Sequence, residues 1–276
     1  MSFDIIERSN YDGQPIRLYE FNIGSVFWRY TSDEVETVLP GSPPLVFAPQ
    51  PISDSGAIQS GDGQANDLTL TLPSDAAISQ MFALSPPSEE LWITIREKHV
   101  GSDQAPVVWV GTVASSKRVG LRTMQFTCQI LTATFERNGL RLSWGRQCPH
   151  ALYDRNCKVD KSLYGLAMTI TTVQGNVIYA NGLPFYPDNW FSNGFFEFSI
   201  LPGVIERRGI EQNVQVGGYM IVLGTGEGIT VGMVAILYPG CSRTTPQCSG
   251  KFNNLSNFGG FPHLPGKSPF GGDPVF

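Results

Sequence analysis

The chain has 276 residues, enough for one large or two ordinary domains, and its 41% hydrophobic content is sufficient for a real core. Only 16% of the residues are charged, below the usual ~25%, which is typical of a protein whose surface is partly covered by neighbours. The net charge of −5 and the lack of a basic run give no reason to expect a nucleic acid partner.

The N-terminal sequence lacks the basic segment followed by an apolar segment that marks a signal peptide. The chain also contains no run of ~18 apolar residues, so we expect no transmembrane segment. Both expectations favour folding in a reducing cytoplasm, where disulfides are rare and thiolates are free to bind metal.

Residues 1–145 are predicted to form a β-rich domain, because segments of alternating apolar and polar residues follow one another between turn-forming residues. After a helical turn at residues 3–9, the predicted strands are Ile16–Phe21, Ser25–Thr31, Asp67–Leu72, Leu91–His99, Val107–Ser115 and Thr123–Leu131. One helix is predicted over residues 74–84, where the apolar side chains share a face. The pattern is mainly β and indicates an antiparallel barrel or sandwich with one short helix.

Residues 146–250 contain two polar cysteine loops, RQCPHALYDRNCKVD and YPGCSRTTPQCSGKF, with a strand-rich segment between them. Its predicted strands are Ala167–Val173, Val177–Asn181, Phe195–Ile200, Gly203–Ile210, Gln212–Val216, Tyr219–Leu223 and Val231–Tyr238. We interpret residues 166–237 as an inserted β-domain that is closed at its base if the two loops meet. Residues 251–276 are rich in Gly, Pro and Phe without periodicity, which predicts an extended tail lying on another surface.

Four thiols in two loops, at Cys148, Cys157, Cys241 and Cys248, suggest a single four-thiolate site. Thiolates suit an iron–sulfur cluster. Structural zinc also takes four thiolates, although its paired ligands are usually two to four residues apart, and here eight and six residues separate the pairs. Two disulfides would require an oxidising environment. From the residues alone, cluster and zinc are both open, with disulfides or merely buried thiols as further readings.

The fifth cysteine, Cys128, lies in the middle of a predicted strand and is interpreted as a core residue. His150 is a candidate ligand, although such a residue more often bonds a backbone group. Asp154 and Asp160 are interpreted as solvated turn residues. The Gly-rich segment 224–232 lacks the Lys and the helix of a phosphate loop and is interpreted as a hairpin turn. No catalytic residues are predicted.

The aromatic residues of segment 185–196 (FYPDNWFSNGFF) are interpreted as a buried cluster, with a sugar- or protein-contacting tip as the alternative.

The segments RLSWGRQCPHALYDRNCKVD and YPGCSRTTPQCSGKFNNLSNFGGFPHLP, together with DGQPIRLYEFNIGSVFWRYTSDE near the N-terminus, resemble the tail hub family of long-tailed phages and gene transfer agents. The cysteine region is similar to that of the iron–sulfur tail-tip protein of lambda-like siphophages. The resemblance implies a non-enzymatic baseplate hub of the virion tail tip, assembled in the host cytoplasm. It implies a homotrimer that joins the distal tail protein ring to the central spike or fibre protein.

The resemblance also implies that Cys148, Cys157, Cys241 and Cys248 hold a 4Fe-4S cluster that acts as a structural staple, while Cys128 lies outside the pattern. A zinc-stapled tail-tip protein is the alternative, in which the inserted β-domain binds a sugar or receptor on the host surface.

Overall fold

The structure is a computed structural model that describes residues 3–9, 13, 15–56, 67–84, 86–132, 139 and 144–264. The chain forms two compact units. Unit 1 comprises Met1–Arg137 together with Ser199–Glu206, and unit 2 comprises Asn138–Phe198 and Arg207–Phe276. Both units are built mainly from β-strands, which confirms the predicted class. In the described part of the chain, every helix is too short or too polar to span a membrane.

Unit 1 contains a nine-stranded sheet with the order β3-β4-β2-β1-β7-β8-β9-β6-β5. Its strands are β1 (Pro15–Ile23), β2 (Val26–Thr31), β3 (Thr37–Leu39), β4 (Leu45–Pro49), β5 (Ser53–Asp54), β6 (Leu68–Pro73), β7 (Trp92–His99), β8 (Val107–Val119) and β9 (Thr123–Ile130). Neighbouring strands are antiparallel except β2 and β4, which are parallel. Two helices, α1 (Phe3–Glu7) and α2 (Ala77–Leu84), complete the described elements of this unit.

The core of unit 1 follows from the alternation seen in the sequence. In β6 the leucines at 68, 70 and 72 are buried, whereas the threonines between them are half-exposed. Helix α2 covers this face with Ile78 and Phe82, and the ring of Phe82 meets that of Phe126 edge-on at 5.2 Å. Cys128 is fully buried in the same core, as predicted. Burial, helped by Asp67, raises the pKa of its thiol to about 12, so this cysteine stays protonated.

Unit 2 contains a closed six-stranded barrel with the order β10-β11-β14-β13-β12-β15. Its strands are β10 (Leu166–Gln174), β11 (Val177–Ala180), β12 (Gly194–Leu201), β13 (Val204–Val214), β14 (Tyr219–Val222) and β15 (Val234–Tyr238). Side chains that include Ile178, Phe196, Met220 and Leu237 are fully buried and fill the interior, as expected for a barrel of this size. The barrel therefore has a packed core and is not a channel.

Three features differ from the predicted elements. In unit 1 the strands form a sheet, and the closed barrel is formed by residues 166–238, the segment interpreted as an insertion. Two predicted strands, Gly203–Ile210 and Gln212–Val216, are one continuous strand, β13, with a register shift between Ile210 and Gln212. A bulge of this kind bends a strand, which helps a short sheet to close. A third helix, α3 (Thr245–Gly250), replaces part of the second predicted cysteine loop.

We predict that Phe196→Ala lowers the free energy of unfolding by about 3–5 kcal/mol, because it empties a fully buried position in the barrel. The matched control is Phe185→Ala in the same unit, whose side chain is 83% exposed, and we expect a change within about 0.5 kcal/mol. Chemical denaturation of the full chain, followed by circular dichroism, measures both. Equal losses for the two variants would contradict the assignment of the barrel core.

Candidate metal or cluster site at the cysteine loops

The two cysteine loops are in contact. The N–H of Cys148 in the first loop donates a hydrogen bond to the carbonyl of Arg243 in the second, with N and O 3.0 Å apart. The hydroxyl of Tyr153 donates to the carbonyl of Pro239 at 2.9 Å. The loops flank the barrel on its two sides in sequence, at the start of β10 and the end of β15, whose strands pair directly. The segment between the two loops is therefore closed at its base.

Cys148, Cys157, Cys241 and Cys248 all line one cavity of about 570 Å³. Cys157 and Cys248 are buried and the other two are half-buried. All five cysteines of the chain are free thiols. Among the described residues, no group of three or more His, Cys, Asp or Glu side chains is arranged tightly enough to hold a metal ion. The structure thus brings the four predicted residues to one cavity, while their role as ligands stays a prediction.

Hydrogen-bond donors point at the sulfurs of this cavity. The N–H of Arg243 donates to Cys241 Sγ at 3.3 Å, and the N–H of Gly259 donates to Cys148 Sγ at 3.4 Å. The amide nitrogen of Asn254 lies 3.7 Å from Cys157 Sγ and donates to it. Such bonds favour the thiolate form, and hydrogen bonds to sulfur are among the groups that tune an iron–sulfur site.

The fourth sulfur, Cys248 Sγ, donates to the carbonyl of Asn254 at 3.3 Å. Burial raises the pKa of the Cys248 thiol, and the neighbouring Cys241, Cys148 and Cys157 raise it further. Each of the four sulfurs therefore has a polar partner, and the clustering of thiols makes full ionisation unfavourable unless positive charge lies nearby.

Local hydrogen bonds shape the first loop. Asp154 Oδ1 accepts the N–H groups of Asn156 at 2.8 Å and Cys157 at 2.6 Å, which turns the chain back at the second cysteine. Burial works to raise the pKa of Asp154, but these backbone hydrogen bonds outweigh it and the pKa is lowered. Asp160 accepts from the N–H of Ser162 in the same way. Both aspartates thus act as turn residues, in agreement with the sequence interpretation.

Strained backbone is concentrated at the same place. Tyr153, Lys158, Arg243 and Asn253 have φ between 46° and 68°, a region that residues other than glycine rarely occupy. These residues lie within or beside the cysteine segments. Such strain persists only where surrounding structure enforces it and is typical of functional sites.

A close backbone approach places Cys241 against the barrel. A Cβ atom on Gly240 would lie 2.0 Å from the carbonyl oxygen of Ser192, so only glycine fits there. Cys248 lies on α3, which begins after Thr244 and has Pro246 in its first turn. The sequence interpretation placed Cys248 in a loop, because a helix of this length carries no apolar periodicity.

An aromatic group links the first loop to the barrel. The ring of Tyr153 lies 6.1–6.4 Å from those of Tyr164, Phe195, Tyr238 and Phe252. Burial, helped by charges on Tyr164 and Cys157, raises the pKa of the Tyr153 hydroxyl, so it remains protonated as the donor to Pro239.

Two lysines contact this aromatic region in different ways. Lys161 Nζ binds Glu197 Oε1 at 2.6 Å, and Arg207 binds the same oxygen at 2.7 Å. Lys251 Nζ instead donates to the carbonyls of Trp190 and Gly240, the latter at 2.8 Å. Burial lowers the pKa of Lys251 to about 8, and the charge of Cys241 opposes this shift.

The first half of the predicted tail packs on the first cysteine loop of the same chain. Asn254 Nδ2 donates to the carbonyl of Cys157 at 2.5 Å, and the N–H of Phe261 donates to the carbonyl of Gly145 at 2.8 Å. Arg146 Nε donates to the carbonyl of Leu264 at 2.7 Å. The expectation for residues 265–276 lies outside the described residues. The roles of Asn254 and Lys251 were missed, because neither residue belongs to a periodic pattern or a ligand motif.

The structure also gives the positions of the other residues and segments that the sequence analysis considered as candidate sites. His150 lines the cysteine cavity, and its buried Nδ1 has no hydrogen-bond partner among the described atoms. The Gly-rich segment 224–232 connects β14 to β15 through turns, but these two strands are not neighbours in the barrel, so the prediction of a hairpin turn is wrong. In the aromatic segment 185–196, Phe191 and Phe196 are fully buried, whereas Phe185 is exposed.

Comparisons with known proteins give likenesses in sequence and in fold. Residues 189–268, which include Cys241 and Cys248, match the family described as "Phage conserved hypothetical protein BR0599". A chain of the solved structure "Virion of native gene transfer agent (GTA) particle" has the same fold, with a TM-score of 0.82 and 19% identity over 99% of this chain and 96% of that chain. No curated protein matches. One likeness is thus to a phage protein family over part of the chain, and the other is a likeness of fold to a chain of a gene transfer agent virion.

We predict that Asn254→Ala lowers the free energy of unfolding by about 2 kcal/mol, because the carbonyl of Cys157 loses its buried donor. Asn181→Ala is the matched control: its exposed side chain accepts one hydrogen bond, from Thr169, and we expect a loss of about 0.5 kcal/mol. Chemical denaturation measures stability, and the alkylation rate of Cys157 measures local opening. If Asn254→Ala and Asn181→Ala have the same stability and the same alkylation rate of Cys157, Asn254 does not hold the loops together.

Proposed function

We propose that the chain is a structural component of a phage-type virion, located in the tail. The likeness of its fold to a chain of a gene transfer agent virion, across almost the whole of both chains, supports this proposal. The match of residues 189–268 to a phage protein family supports it independently. The low charge content fits a subunit that is covered by neighbours in the particle.

The finer proposal is a baseplate hub, a homotrimer between the distal tail protein ring and the central spike or fibre protein. It is supported by the resemblance of the cysteine segments and of the N-terminal segment to the tail hub family. The role is mechanical and needs no catalysis by this chain. The fully packed barrel, in which Phe196 and Leu237 are buried, suits a rigid structural subunit.

We further propose that Cys148, Cys157, Cys241 and Cys248 hold a 4Fe-4S cluster. The observation that carries this proposal is that all four cysteines, from two loops separated by a whole barrel, line one cavity. The donor set fits the group, because thiolates are the usual ligands of such clusters. The cavity of about 570 Å³ leaves room for a group larger than one ion, which favours a cluster over the zinc alternative.

The proposed role of the bound group is to tie the loops together. Closing a long loop costs conformational entropy, and here the loop contains the barrel, residues 158–240. Hydrogen bonds between the two loops and the pairing of β10 with β15 already close this loop. Four sulfur ligands would add to the closure by converting binding free energy into folding free energy.

The proposed role of the four cysteines as a tether is tested by counting assembled tailed particles. We predict that a producer strain lacking the gene, complemented with Cys157→Ala, yields several-fold fewer tailed particles than with the wild-type gene, because the loops lose a tether. Cys128→Ala is the matched control, since this cysteine is buried in the core of unit 1; we expect near wild-type yields. Electron microscopy counts tailed particles, and mass spectrometry of purified particles detects the chain.

Two outcomes of this experiment contradict different parts of the proposal. Absence of the chain from purified wild-type particles contradicts a virion component. Presence of the chain with equal particle yields for Cys157→Ala and Cys128→Ala contradicts the four-cysteine staple and leaves the virion assignment in place.

A further inference from the structure

We propose that Lys251 supplies the positive charge that balances the four-cysteine site, and so sets how readily that site accepts further negative charge. The inference rests on the proposed function, in that the four cysteines bind a group as thiolates. It concerns a residue that is not itself a ligand.

The surroundings of Lys251 are those of a cation. Its Nζ donates to the carbonyls of Trp190 and Gly240. It also lies over two aromatic faces, 4.6 Å from the ring centre of Trp190 and 5.5 Å from that of Phe252. Carbonyl oxygens and ring faces both attract an ammonium group, but neither carries a full negative charge.

The missing counter-charge is in the cysteine site. Within the part of the chain that the structure describes, Lys251 makes no ion pair with a carboxylate. Gly240, whose carbonyl accepts from Lys251, is directly followed by Cys241, and Phe252 lines the cysteine cavity. A half-buried ammonium without a carboxylate is costly unless another negative group compensates. The thiolates of the cavity are that group.

The charges at the rim of the cavity do not replace Lys251. Arg243 and Glu211 also line it, with opposite charges, and both are exposed to solvent, which screens them. Lys161 offers an internal comparison. It too lies over two aromatic rings, those of Phe195 and Tyr238, but it forms an ion pair with Glu197, which also binds Arg207. The two lysines therefore have similar packing and different counter-charges.

The test uses the full chain with Lys251→Gln, which removes the charge and keeps N–H donors for the two carbonyls. Lys161→Gln is the matched control, and Lys251→Arg keeps the charge. After reconstitution with iron and sulfide, the midpoint potential is measured at an electrode. A nearby cation favours the more negative, reduced state of the cluster. We therefore expect Lys251→Gln to lower the equilibrium constant for reduction about tenfold, which is a fall of about 59 mV in the midpoint potential of a one-electron couple. Lys161→Gln and Lys251→Arg should stay near the wild-type value.

A potential for Lys251→Gln equal to that of Lys161→Gln overturns the inference. If the glutamine variant does not fold, Lys251→Arg decides: a wild-type potential supports the role of charge, and a fall contradicts it. If the wild-type chain binds no iron and sulfide, the proposal of a cluster is contradicted. The metal-free chain can then still test whether the charge of Lys251 acts on the cysteine thiols. In that chain, iodoacetamide should alkylate Cys241 several-fold more slowly in Lys251→Gln than in Lys161→Gln, and equal rates would contradict the inference.

Discussion

The meeting of the two cysteine loops is the constraint on which the second unit depends. The barrel begins just after Cys157 and ends just before Cys241, so its first and last strands, β10 and β15, must lie side by side for the sulfurs to converge. The converse also holds, since pairing of β10 with β15 delivers both loops to the same end of the barrel. Strand pairing therefore brings the four cysteines to one cavity, and the proposed bound group would in turn hold the two strands together.

The clustering of the four cysteines affects the ionisation of their thiols. Burial raises the pKa of the Cys248 thiol, and the neighbouring Cys241, Cys148 and Cys157 raise it further. Three N–H donors, from Arg243, Gly259 and Asn254, bind the sulfurs, and the ammonium of Lys251 is the proposed counter-charge. These partners come from the second loop and from residues 251–264. The segment after α3 is thus part of the site, and its lack of periodicity reflects attachment through individual hydrogen bonds.

Much of this architecture could be predicted from the sequence, for identifiable reasons. Strands such as β6 bury one face, so alternation at Leu68, Leu70 and Leu72 marks them. Pro and Gly in the cysteine loops marked them as turns, and the two pairs of thiols indicated that they meet. Cys128 was separable from the other cysteines because strand alternation placed it in a core.

Other features depend on contacts between distant residues and leave no local pattern. The continuity of β13 through its bulge at Ile210 is fixed by its partner β14. The closure of the barrel likewise depends on pairing between strands far apart in sequence. Helix α3 is too short for a hydrophobic period, although Pro246 in its first turn is a usable signal. The surroundings of Lys251 likewise consist of carbonyls and rings from distant parts of the sequence, so its proposed role has no local signal.

The most direct test of the central claim, that four cysteines hold one cluster, is the content of iron, acid-labile sulfide and zinc in the chain purified without oxygen, together with its visible absorbance. The account predicts about four irons and four sulfides per chain with broad visible absorbance from thiolate-bound iron. One zinc without colour would contradict the cluster and keep the four-cysteine tether. A folded chain with no metal and with Cys148, Cys157, Cys241 and Cys248 all open to alkylation would contradict the claim itself.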